Sequence, residues 1–239
     1  MKRICIWSSP RNVSTALMYS FAQRSDTIVV DEPLYGHYLK ISDADHPGKE
    51  EIIKSMESDG GKVINEIILG HYDKDVVVFK QMAHHLTEID ESFLYDVTNV
   101  FLIRNPLYLI NSLSKVLDKV EMRDTGIKRQ FEIYEKLDLQ NHKSVVVDSM
   151  EILRNPESVL TKLCNSVNIS FDKNMLSWKA GGRKEDGIWA KYWYDNVRKS
   201  TCFEKQESDG KELDSDLIPL YNECLPYYNK LFSLSLKSD

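Results

Sequence analysis

The sequence predicts an α/β fold, a three-layer doubly wound parallel sheet of about five strands with helices on both faces. Three observations lead to it. Runs 3–7, 27–30, 76–80, 99–103 and 144–147 are nearly all apolar rather than alternating, the pattern of strands covered on both sides. Segments with helical spacing lie between them, and such alternation implies right-handed crossovers. The first run also passes through a short polar stretch directly into a helical one, a strand–loop–helix unit.

The spacing predicts helices over 14–24, over 49–72 with a break at Gly60-Gly61, and over 88–95, 106–120, 128–137 and 156–167. Pro106 and Pro156 suit the first turns of theirs, and the asparagine before Pro156 makes a good cap. After Phe171 strand signals fade. The tail carries Trp178, Trp189, Tyr192, Trp193 and Tyr194, whose commonest use is packing and whose other use is stacking on a flat ligand. A last helix is expected from Ser215, punctuated by Pro219 and Pro226. At 239 residues the chain fits a single domain, 1–239. Residues 36–74 are long and polar for a crossover, which suggests a lid or acceptor segment. Residues 171–239 form an aromatic and helical extension.

Bulk composition narrows the partners. A hydrophobic share of 42% supports a substantial core, and a net charge of −6 argues against nucleic acid or an anionic membrane as a partner. No apolar run exceeds four residues, too short for a membrane span or a signal peptide. Cys5, Cys164, Cys202 and Cys224 are scattered, and no histidine or cysteine spacing suits a metal. A reduced, cytoplasmic setting is expected.

Ligands of doubly wound sheets bind at the carboxyl ends of the strands, so the residues that follow each strand matter most. After the first comes Ser8-Ser9-Pro10-Arg11-Asn12-Val13-Ser14-Thr15. A helix start has free N–H groups and the positive end of a dipole, and an arginine with two hydroxyls makes it a phosphate or sulfate site. The other reading is a polar turn with a serine cap. It is not a Walker A loop, since both glycines and the lysine are missing. After the second strand Asp31-Glu32-Pro33 places an acid at the rim, where it can accept a proton or act as a solvated pair. After the third, Lys80 offers an ammonium to a leaving group, and His84 or His85 offers an alternative base. After the fourth, Arg104-Asn105-Pro106 supplies a fork for phosphate, with Asn111, Ser112 and Ser114 on the helix behind it. After the fifth, Asp148 to Leu153 looks mainly structural.

Together these pieces resemble the sulfotransferases that use 3′-phosphoadenosine 5′-phosphosulfate (PAPS). Pro10-Arg11-Asn12-Val13-Ser14-Thr15 is similar to the family's 5′-phosphosulfate loop. Arg104-Asn105-Pro106 and Ser112, eight residues after Arg104, are similar to its 3′-phosphate grip. The turn and Pro-Glu helix over 145–157 follow in family order. Asp31-Glu32-Pro33-Leu34-Tyr35 looks closest to a little-characterised sulfotransferase-like branch. Arg183-Lys184-Glu185-Asp186-Gly187-Ile188-Trp189 loosely resembles the loop that closes on the nucleotide in cytosolic members, without its first glycine.

The resemblance implies a P-loop NTPase-related fold of the sulfotransferase type, PAPS as co-substrate, no metal, and transfer of a sulfuryl group to a hydroxyl or amine. A small molecule or a saccharide is the implied acceptor. Arg11, Asn12, Val13, Ser14 and Thr15 would hold the phosphosulfate; Arg104 and Ser112, with Arg183, would hold the 3′-phosphate. Glu32 would be the base, with His84 second to it, while Lys80 and Arg11 offset charge on the leaving group. Arg11 stands where cytosolic members have a lysine. Val13 stands where glycine is usual, and a β-branched residue avoids positive φ, so a differently shaped loop is expected. Two other functions fit the same residues, a non-catalytic nucleotide- or anion-binding protein and an NTP-dependent phosphotransferase.

Overall fold

The computed structural model describes residues 1–204 and 212–239; positions 205–211 of the predicted C-terminal extension lie outside the described residues. Strands β1 (Lys2–Ser8), β2 (Thr27–Asp31), β3 (Val76–Met82), β4 (Thr98–Ile103) and β5 (Ser144–Asp148) form a parallel sheet in the order β2-β3-β1-β4-β5. Every predicted strand run lies inside one of them. The central β1 pairs with β3 on one side and β4 on the other, so the chain's winding reverses there. The crevice at such a reversal is where an open α/β sheet takes its ligand.

Alternation along β1 divides the core into two layers. Cys5 and Trp7 face one layer with Phe79, Phe101 and the helices Ile127–Leu139 and Ile218–Ser233. Ile4 and Ile6 face the other with Val78, Leu102 and the helices Ser14–Phe21 and Pro156–Ser166. Helices thus cover both faces, which explains why the strands read as continuous apolar runs. Among the described residues, no helix is long and apolar enough to cross a membrane.

Several helices differ from their predicted bounds. The predicted 106–120 helix ends at Leu113; Ser114, Lys115, Asp118 and Lys119 beyond it are exposed, while Leu117 and Val120 keep the apolar spacing and pack on Leu109 and Leu113 without a helix. The 49–72 segment breaks before Gly60-Gly61 rather than at them. Helix Lys49–Ser55 ends, Asp59 accepts a hydrogen bond from the Lys62 amide at 3.0 Å, and a new helix runs from Gly60 into a π-helical turn, Val63–Ile68. Gly60 is there for closeness, since a Cβ would lie 2.8 Å from Ile89 Cδ1 and 2.9 Å from His37 Cε1. No α-helix forms over 88–95. Glu88 takes a left-handed φ of 50°, and Asp90 caps the Ser92 amide at 2.9 Å, turning the backbone into the 3-10 stretch Glu91–Asp96. Helices Tyr35–Ile41, Ser149–Arg154, Ala190–Trp193 and Asp195–Lys199 had no sequence expectation. The last helix starts at Ile218 after a 3-10 turn at Ser215–Leu217, with Pro219 in its first turn and Pro226 inside it.

Candidate active site

The loop after β1 enters the Ser14–Phe21 helix through Val13, whose φ of 62° and ψ of 16° are left-handed. The expectation that a β-branched residue avoids positive φ here is therefore corrected: Val13 adopts a left-handed conformation. The strain is of order 1–3 kcal/mol, and the loop is held against it. Asn12, fully buried, donates to the Leu102 carbonyl at 2.7 Å. The guanidinium of Arg104 donates to the Arg11 carbonyl, while Arg11 Nε donates to Ser112 Oγ at 3.0 Å. Arg11 also takes a left-handed φ of 61°. No side chain caps the helix start, which leaves its first amides facing the crevice. Asn105, by contrast, caps the Leu107 amide at 2.9 Å and fixes the helix that carries Ser112. Burial, then the neighbouring Arg11, brings the Arg104 guanidinium down to about 10, so it stays charged at neutral pH.

At the ends of β2 and β3 lies a buried acidic cluster. Lys80 is fully buried, and its Nζ donates to Asp31 Oδ1 at 3.0 Å, to Glu32 Oε1 and to the Tyr194 hydroxyl. Burial alone would lower the lysine, but Asp31 and Glu32 outweigh it and raise it above the usual value. Glu32 is 5% exposed and is pushed up, chiefly by burial, with Lys80 opposing and Asp31 adding to the shift. Its second oxygen, Oε2, lies 4.0 Å from His85 Nδ1. Glu32 also has a left-handed φ of 40°, and its backbone amide donates to the Lys80 carbonyl at 2.8 Å. Strained backbone of this kind gathers at functional sites.

An aromatic wall stands beside this cluster. His85 is stacked between Tyr35 and Tyr38, with ring centroids 4.9 and 4.7 Å away. The Tyr35 hydroxyl meets His46 Nδ1 at 2.7 Å, and Trp193 packs edge-on to His46. Burial holds His84 down to about 4, His85 well below its usual value and His46 below its own, so all three rings are neutral at pH 7.

These groups share one cavity of about 920 Å³. Arg11, Asn12, Val13, Ser14, Thr15, Glu32, Lys80, His84, Arg104 and Ser112 all line it, so ten predicted positions from five chain segments converge. Arg183 does not join them. Its Nε pairs with Glu185 at 3.4 Å and its guanidinium lies over the Tyr19 ring. Tyr38 and His46 from the expected acceptor segment and Trp193 and Tyr194 from the aromatic tail line the cavity too, but the sequence singled out none of them as a site residue. Tyr35 was visible only as part of Asp31-Glu32-Pro33-Leu34-Tyr35.

Comparisons with known proteins bear on the family and the fold. A family model described as a sulfotransferase domain matches residues 1–235. Two Arabidopsis thaliana relatives, "Branched-chain-amino-acid aminotransferase-like protein 2" and "Branched-chain-amino-acid aminotransferase-like protein 1", are 37% identical over 232 residues and 38% identical over 228. The matches cover 97% and 95% of this chain but 41% of each relative, so the chain spans less than half their length. Among solved structures, the sulfotransferase domain from the curacin biosynthetic pathway superimposes with a TM-score of 0.56 at 16% identity, covering 97% of both chains; that likeness is one of fold. With the family model matching nearly its whole length, this chain belongs to the sulfotransferase domain family.

Proposed function

We propose that this chain transfers a sulfuryl group from PAPS to a hydroxyl or amine of a small-molecule or saccharide acceptor. The observation that carries the proposal is the junction of Arg11, Ser112 and Arg104, three candidate phosphate contacts tied together in the cavity that also holds Glu32. The donor set fits PAPS. Uncapped amides at a helix start, behind a loop with two left-handed residues, form a concavity for an anion. The amides of residues 12–15 with Arg11, Ser14 and Thr15 would hold the phosphosulfate. Arg104 and Ser112 would hold the 3′-phosphate.

When bound, PAPS supplies the sulfuryl group, and the acceptor oxygen or nitrogen displaces the phosphate from sulfur. Glu32 receives the acceptor's proton on Oε2, the oxygen that Lys80 does not occupy. His84 is the second base in the cavity, neutral and able to accept a proton, but weaker. Lys80 opposes the effect of burial on Glu32 and favours its ionised form. With its three donors on Asp31, Glu32 and Tyr194 it is not aimed at a leaving group, so Arg11 alone would offset charge on the departing phosphate. Tyr35, Tyr38, His46 and Trp193 would form the acceptor's wall, with 36–74 as the acceptor segment and residues 189–204 lining the cavity from the C-terminal side, in a single domain, 1–239. The chain acts in a reduced, cytoplasmic setting.

The test is calorimetric titration with 3′-phosphoadenosine 5′-phosphate against AMP and ATP. The bisphosphate is expected to bind at least tenfold more tightly than AMP, about 1.4 kcal/mol. Equal binding of all three, or magnesium-dependent preference for ATP, rejects the proposal.

A further inference from the structure

Among the groups around Glu32, Tyr194 has no role in the chemistry above, yet its hydroxyl is the most fully committed. It accepts from Lys80 Nζ and, at 3.3 Å, from Trp189 Nε1. A hydroxyl has two acceptor positions and one proton, so these contacts leave only the proton to place. The proton has Asp31 Oδ2 at 2.8 Å and Oδ1 at 3.0 Å, with Glu32 Oε1 farther away at 3.5 Å. It therefore goes to Asp31. Asp31 also receives Lys80 and, at 3.3 Å, the Gly187 amide. Lys80 has three donors for three partners, Asp31, Glu32 and Tyr194.

We propose that Tyr194, together with Asp31, is a positioning residue for the base, setting how one buried ammonium is divided between Asp31 and Glu32. The proposal rests on the reading that Glu32 is the base. The hydroxyl's proton satisfies Asp31, so Asp31 does not draw the ammonium fully to itself. Lys80 then holds Glu32 by Oε1 and leaves Oε2 as the one oxygen free to accept a proton. Asp31, with three donors already on it, has no such oxygen. Gly187, Trp189 and Tyr194 all belong to the C-terminal part of the chain, which thus completes the surroundings of an acid borne on β2.

The groups facing Glu32 are Asp31 beside it, Lys80 and His85 from β3 and the turn after it, Tyr194, and Tyr35. Two substitutions act on the same lysine in opposite directions. Tyr194→Phe removes the proton given to Asp31, so Asp31 draws Lys80 away and Glu32 binds its proton more tightly. Asp31→Asn removes both the competing carboxylate and its charge, so Glu32 binds its proton less tightly.

The experiment is a pH titration of the full chain carrying carbon-13 in its glutamate carboxylates, followed by NMR, with Glu32→Gln assigning the Glu32 signal. The Glu32 midpoint is expected to rise by about one pH unit in Tyr194→Phe and fall by about one in Asp31→Asn, a tenfold change in proton affinity each way. Shifts of the same sign in the two variants, or a signal that stays in place in both, overturn the proposal. Each variant is read by itself, so a failure of one to fold leaves the sign of the other to decide. Sulfate transfer at the wild-type rate by Glu32→Gln would reject Glu32 as the base, an outcome separate from the direction of these shifts.

Discussion

The guanidinium of Arg104 donates to the main-chain carbonyl of Arg11, and Arg11 in turn reaches Ser112 at 3.0 Å, on the helix that follows Arg104. The arginine that ends β4 thus shapes the loop after β1 as well as offering a charge to a ligand. Arg104→Ala is expected to weaken 3′-phosphoadenosine 5′-phosphate by about 100-fold, on the scale of one or two charged hydrogen bonds. AMP should lose less, because it suffers only from the loosened loop. Calorimetry on both nucleotides checks this, and equal losses for the two would remove Arg104 from the 3′-phosphate site.

Glu32→Gln keeps the shape of the side chain and removes its ability to take a proton. Sulfate transfer should fall roughly 10²–10⁴-fold, the range for a lost general base. Nucleotide affinity should change little, since the proposed nucleotide contacts lie on other residues. A steady-state assay beside a binding titration separates the two effects.

Lys80→Met leaves two buried carboxylates without their counter-charge, at a cost of roughly 3–5 kcal/mol. The loss should depend on pH. The folded chain holds Glu32 above its usual 4.5, so the folded state binds a proton at a pH where the unfolded state has lost it. Stability of such a group falls as pH rises through that window and recovers on acidification. Denaturation of the variant should therefore show a smaller deficit at pH 5 than at pH 7.5. The same deficit at both would mean that the lost lysine mattered for its packing and not its charge.

The histidines give the opposite slope to the wild-type protein. His84 lies near 4 and His85 well below its ordinary 6.5, both chiefly through burial. Between 6.5 and about 4 the unfolded chain takes up protons that the folded chain refuses. Stability is complete above that window and declines as pH drops through it, by about 1.4 kcal/mol per pH unit for each proton. Urea midpoints between pH 7 and 4.5 should fall steeply in the wild type and more gently in His85→Gln. Parallel curves would contradict the assignment.

Val13 bears the strain of its φ of 62°. Val13→Gly should release it and raise stability by about 1 kcal/mol. Val13→Ala gives up the same contacts with the second core layer as glycine but keeps most of the φ penalty, so it should destabilise. Thermal melts of the two variants are expected to move in opposite directions from the wild type.

The strands were legible because burial on both faces writes itself into neighbouring residues: Val76 to Phe79 and Val100 to Ile103 are unbroken apolar runs. The anion loop and Arg104 were legible for a related reason, since each sits directly after such a run. What stayed hidden depends on side chains or on distance. Asp59 and Asp90 redirect the backbone through their own hydrogen bonds, which no hydrophobic period reports. Tyr194 reads as packing until Asp31 and Lys80 stand beside it. Arg183 matched a motif by order, but Glu185, two positions on, takes up its charge.

The Tyr194–Asp31 hydrogen bond joins positions 163 apart in sequence. Contacts of such separation form late, because the entropy of closing the loop must be met before they add anything. All five strands and the loop after β1 lie within the first 150 residues, whereas the surroundings of Glu32 also need the segment around Tyr194. A chain still being synthesised, with that segment inside the ribosome, would have made every strand end that lines the cavity while Asp31 and Lys80 still lacked their Tyr194 partner.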